Sequence, residues 1–183
     1  MKILTSLVFA VIFLSGFMGF SGDPCFIPVD VCPDKTELVT VKGDNGNNID
    51  IENFPYTYAY GNYNKTFNSY RAIFINFDRE KDRDFRKVEG DEIKVVIMIF
   101  NMKGEELTEG EYTMSGGDTG KQFAVAIETS EGTLSPVSLN GQDIGGVTIY
   151  RVDEDMLCGE VNVKGSMGVE VTGTFSVANE KTK

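Results

Sequence analysis

Residues able to move protons or attack electrophiles near neutral pH are scarce in this chain, and the gaps are informative. Histidine is absent, which removes Ser-His-Asp and Cys-His arrangements together with the usual zinc sites. General acid–base work would then fall to carboxylates, lysine or tyrosine. With 28 Asp and Glu, some carboxylates lie near each other by chance, and a facing pair could serve a glycoside hydrolase. No tryptophan is present to form the stacking platform that often lines a sugar cleft. The three cysteines, Cys25, Cys32 and Cys158, include no C-x-x-C pair, so a redox or metal role finds no support. The balance is against an enzyme, and no cofactor is expected.

Two glycine-bearing loops invite ligand readings. The run Ser115-Gly116-Gly117-Asp118-Thr119-Gly120-Lys121 has some of the look of a phosphate-binding loop. Gln122 stands where Ser or Thr is required, however, and a β-rich run follows in place of a helix, so a hairpin loop is the better reading. Asp44, Asn48 and Asp50 offer oxygen ligands in the manner of a calcium loop. Gly46 is third in that run and not sixth, so EF-hand spacing fails; a loose calcium site or an Asx-rich turn remains.

The positive feature is aromatic. Tyr56, Tyr58 and Tyr60 alternate along one segment, with Tyr63 and Tyr70 nearby. These five are the candidate ligand-binding residues, able to stack on a sugar or a peptide. The competing reading is that they cover one face of a sheet, with phenol oxygens reaching water at its edge. Asn64-Lys65-Thr66 has the form of an N-glycosylation triplet, which matters only in a eukaryotic source.

Strands must position these side chains, because past residue 21 no stretch sustains a helical apolar period. Residues 38–41 and 49–52 are β-rich and flank an Asn-Gly turn signal. The segment 67–77 has apolar residues on both faces, and 93–100 is the most apolar run beyond the leader. Such runs predict central strands buried on both sides. Between them, 78–92 is densely charged and reads as a solvated loop with room for one helical turn. Residues 111–114 and 123–127 are short strands, and 147–152, 156–163 and 169–177 form a closing meander. The expectation is an all-β domain: one antiparallel β-sandwich or small barrel of about nine to ten strands, with the sandwich preferred.

The N-terminus has a different character. Lys2 precedes an uncharged, strongly apolar run to Phe20, and small residues follow. This is the pattern of a signal peptide over 1–21, cleaved after Ser21. A retained anchor and a lipid on Cys25 are the alternatives. An extended segment over 22–36 would then lead into the β-domain over 37–183. The formal charge is −11, becoming −12 once Lys2 leaves with the leader. That sign repels phosphate backbones, so nucleic acid is not an expected partner. Export permits disulfides, and a local Cys25–Cys32 bridge is the first choice, with Cys32–Cys158 as rival.

Three C-terminal segments, Gly146-Val147-Thr148-Ile149, Gly159-Glu160-Val161-Asn162-Val163 and Val171-Thr172-Gly173-Thr174-Phe175-Ser176-Val177, resemble the closing strands of uncharacterised exported β-domains of Gram-negative bacteria. The resemblance implies an envelope location and a sandwich-like fold, and carries no catalytic residue across. The expected function is therefore non-enzymatic: a periplasmic, cell-envelope or secreted domain that binds a protein partner. The alternative is a carrier of a small hydrophobic ligand, with Tyr56, Tyr58, Phe74 and Phe100 lining a barrel cavity; the carboxylate hydrolase comes third. After leader cleavage no membrane span is expected.

Overall fold

The structure, a computed structural model, describes residues 32–34, 36–42, 50–51, 56–81, 87–135, 144–165 and 169–180. The leader, its cleavage site, Cys25, Asp44 and Asn48 lie outside these residues. Among them the chain forms eleven strands and two 3-10 turns. The strands are β1 (Glu37–Lys42), β2 (Asp50–Ile51), β3 (Tyr58–Asn64), β4 (Ser69–Ile75), β5 (Ile93–Asn101), β6 (Gly110–Thr113), β7 (Lys121–Thr129), β8 (Gly132–Leu134), β9 (Gly145–Val152), β10 (Met156–Lys164) and β11 (Glu170–Ala178). The turns are Arg79–Lys81, inside the charged loop, and Gly117–Thr119. No helix among the described residues is long and apolar enough to cross a membrane.

All the strands belong to one sheet in the order β2-β1-β11-β10-β9-β6-β7-β5-β4-β3, with β8 added to β7. The neighbours are antiparallel except β6 and β7, joined by one parallel pair, Thr113 with Gln122. Strands β9, β10 and β11 form the expected closing meander. The sheet curls until β3 meets the end of β11, making it a nearly closed barrel instead of two stacked layers.

Asn179 and Glu180 form the seam. Gly61 bridges to Asn179, and the Glu180 N–H donates to the Gly61 carbonyl at 2.9 Å. The Asn179 side chain accepts from the Tyr63 N–H at 3.1 Å and donates to the Glu154 carbonyl at 2.6 Å. Gly61 is required here. A Cβ on it would lie 2.7 Å from the Tyr70 ring and 3.0 Å from the Ala178 carbonyl oxygen. Strand β3 continues through Gly61-Asn62 and reverses only after Asn64.

The barrel interior is filled. Alternation sends Tyr70, Ala72 and Phe74 of β4 inward beside Val95, Ile97 and Ile99 of β5 and Phe123, Val125 and Ile127 of β7. Val147 and Ile149, then Leu157, Val161 and Val163, then Val171, Phe175 and Val177 close the far side. Phe74 stands between Tyr56 and Phe175, with ring centroids 5.8 and 6.3 Å away and near-perpendicular planes.

The N-terminal segment is fastened across the meander. Cys32 and Cys158 form a disulfide with a Cα–Cα distance of 5.6 Å, which overturns the expected Cys25–Cys32 bridge. The cause is register. Thr36 bonds the backbone of Ser176, donating to its carbonyl and accepting from its N–H. Ser176 is the cross-strand partner of Cys158, so the chain entering β1 passes beside Cys158.

Two buried tyrosines predict opposite outcomes of losing a hydroxyl. The Tyr112 hydroxyl donates to the Thr108 carbonyl at 2.8 Å and accepts from its N–H at 3.2 Å, the arrangement of a tyrosine corner. The Tyr70 hydroxyl is buried with no hydrogen-bond partner among the described residues. Tyr112→Phe should cost about 1–2 kcal/mol in urea unfolding, whereas Tyr70→Phe should be neutral or stabilising. Burial pushes both phenols above their ordinary pKa, helped at Tyr70 by the charges of Asp153 and Asp155. A raised folded pKa leaves stability whole below the unfolded value of about 10 and removes it as pH rises further. Tyr70→Phe should therefore show a smaller alkaline loss of stability than the wild type. An equal loss in both would contradict this assignment.

Candidate functional site

The five candidate tyrosines do not form one platform. A bend at Thr57 breaks the alternation before β3 begins. Tyr56 consequently turns to the core, and its hydroxyl donates to the Thr36 carbonyl at 2.6 Å. Tyr63 and Tyr70 also pack inward, 5.8 Å apart. Tyr58 and Tyr60 alone point outward together, with ring centroids at 6.0 Å.

This outward pair belongs to the seam. The Arg79 guanidinium lies 3.9 Å from the Tyr60 ring centroid and donates to Glu180 through Nε at 3.1 Å and through a terminal nitrogen at 2.5 Å. Tyr58 donates to the other oxygen of the same carboxylate at 2.8 Å. That hydrogen bond, with some burial, holds the Tyr58 phenol above its ordinary pKa. The group ties the chain after β11 to β3 and to the turn after β4. Its exposure to solvent keeps the ion pair's own contribution small.

Of the calcium candidates, Asp50 begins β2 while Asp44 and Asn48 lie outside the described residues. Among the described residues no three His, Cys, Asp or Glu gather as metal ligands. The loop at 115–121 makes one 3-10 turn and leads into β7, but β6 and β7 pair in parallel, so it is not the expected hairpin loop.

A different surface stands out when the two halves of the barrel wall are compared. On β10 and β11 the outward positions from Glu160 to Lys164 and from Glu170 to Ser176 are polar, while Met156, Cys158 and Ala178 lie on the same face at the end where the Cys32–Cys158 bridge crosses. On β4, β5 and β7 they include Ile73, Val96, Met98, Ala124 and Ala126. Cross-strand register aligns them in rows: Arg71, Met98 and Ala124 in one, then Ile73, Val96 and Ala126 in the next. Ala124 is exposed, Val96, Met98 and Ala126 are half-buried, and Ile73 is buried in a small cluster with Tyr60, Ile75 and Phe77.

These side chains line an open hollow of about 270 Å³, bordered by Arg71, Lys94 and Glu128. The two alanines make it, because β7 offers a methyl group where β5 offers valine and methionine. The hollow lies outside the barrel, on the face opposite the filled core. It is open to solvent.

The sequence shows the apolar alternation on both faces of 67–77 and 93–100; β4 is buried on both faces except at Arg71, and the inward half of β5 is buried as expected. Described residues leave the outward half of β5 only partly covered, so the expectation of burial on both sides does not hold there. The missed signal was Ala124 and Ala126, small residues beside an already apolar strand. Compared with protein-family models, curated proteins and solved structures, the chain finds no match in any of the three. Fold and site together define a disulfide-fastened, barrel-like β-domain whose outer face over β4, β5 and β7 carries an apolar patch.

Proposed function

We propose that this chain is an exported, non-enzymatic domain that binds a protein partner through the outer face of β4, β5 and β7. One observation carries the reading: Ile73, Val96, Met98, Ala124 and Ala126 form a contiguous apolar patch in the middle of these three strands, framing the hollow, whereas the outward positions 160–164 of β10 and 170–176 of β11 are polar. A contiguous apolar patch on a soluble wall marks an interaction surface. Export is supported by the leader pattern and by the Cys32–Cys158 disulfide, which is at home in an oxidising compartment. The likeness of the C-terminal strands to exported β-domains agrees with an envelope or secreted location.

The test is a comparison of two surface variants in pull-downs from the envelope fraction of the source cells. Ala124→Glu places a charge in the hollow, and Asn162→Glu places the same charge on the polar wall. A protein retained by wild type and Asn162→Glu but lost by Ala124→Glu, with unfolding midpoints unchanged, is the expected result. Equal retention by both variants would remove the outer face from the account.

A further inference from the structure

We infer that the partner enters the hollow with an extended segment in which a large apolar side chain sits close to a carboxylate, and that Arg71 receives that carboxylate. The inference rests on the docking role proposed above and adds the chemistry of the occupant.

Charge around the hollow is uneven. Lys94 and Glu128 are cross-strand partners at one end, and their opposite charges offset each other locally. Arg71 stands at the other end, in register with Met98 and so beside Ala124. It is exposed, and no carboxylate or hydrogen-bond acceptor among the described residues engages it. The hollow therefore presents a net positive site in a chain whose overall formal charge is −11. At physiological salt, charges beyond about 8 Å are largely screened. The nearby guanidinium thus decides the preference, and the distant acidic surface contributes little.

Guanidinium and carboxylate pair through two parallel N–H···O bonds, a geometry that lysine does not offer. The apolar floor sets the second requirement. Ile73, Val96, Met98, Ala124 and Ala126 form a trough three strands wide, or ~10 Å from β4 to β7. That width accommodates one side chain of leucine or phenylalanine size over the alanines. An extended segment places alternate residues on one face at ~7 Å intervals. An acidic residue two positions from the apolar one therefore reaches Arg71 while the apolar side chain fills the floor.

The probe is a random heptapeptide display library selected on the immobilised, disulfide-intact domain, with Ala124→Trp and Arg71→Glu run in parallel. Expected are wild-type sequences with Asp or Glu two positions from Leu, Ile, Phe or Met. Individual peptides should lose binding on Ala124→Trp and weaken about tenfold or more on Arg71→Glu. Arg71→Lys should recover only part of that loss. Sequences that need an open hollow but carry no acid, and bind Arg71→Glu as well as wild type, would overturn the role of Arg71 and leave the docking face standing. No enrichment on wild type beyond that on Ala124→Trp would remove the docking face itself.

Discussion

Replacing Cys158 with serine is expected to lower the stability of the domain by about 2–5 kcal/mol, the usual cost of losing a disulfide that closes a long loop. The bridge joins positions separated by 126 residues, so its loss frees nearly the whole described chain in the unfolded state. The native state suffers too. Cys158 is fully buried, and the segment beside it directs β1 into its pairing with β11 through Thr36. Cys32→Ser should match Cys158→Ser, and the double variant should add little, because the two thiols are one interaction. Cys25→Ser should leave the urea midpoint unchanged. A loss of stability in Cys25→Ser equal to that in Cys158→Ser would contradict the pairing.

Phe74→Ala should cost about 3–5 kcal/mol in urea unfolding, the range for deleting a buried aromatic ring. Phe74 is fully buried on β4 and contacts rings from two directions, Tyr56 before β3 and Phe175 on β11. It therefore links the two halves of the barrel across the filled interior. Few neighbours can relax into the space, since Tyr56 is held by its bond to Thr36 and Phe175 by its strand. Phe74→Leu should recover a large part of the loss. A cost below about 1 kcal/mol for Phe74→Ala would show that the interior is looser than its packing implies.

Much of the fold was legible in the sequence because strand alternation is a local property. The strands at 93–100, 123–127 and the closing meander all fall where β-branched and aromatic residues alternate. Sandwich and barrel were not separable, since both give the same alternation. The decision rests on contacts between Gly61 and the chain after Ala178, far apart in sequence. Distance along the chain also hid the disulfide. Proximity favours Cys25 with Cys32, whereas the pairing of β1 with β11 carries Cys32 to Cys158.

The candidate site was less legible. The tyrosines drew attention by spacing, but the bend at Thr57 sends Tyr56 inward and leaves Tyr58 and Tyr60 in the seam. The hollow depends on which outward residues are small, and Ala124 and Ala126 read from sequence as ordinary strand filling. Arg71 interrupts the apolar outward row of β4. Its meaning appears only when register places it beside Met98 and Ala124.

The central claim, that the outer face of β4, β5 and β7 meets a partner, is tested most directly by site-specific photocrosslinking in the source cells. A benzophenone side chain at position 124 would sit in the hollow, and one at position 162 on the polar wall. The account predicts a discrete protein adduct from position 124, diminished by Arg71→Glu and absent from position 162. No adduct from position 124, or the same adducts from both positions, would contradict it.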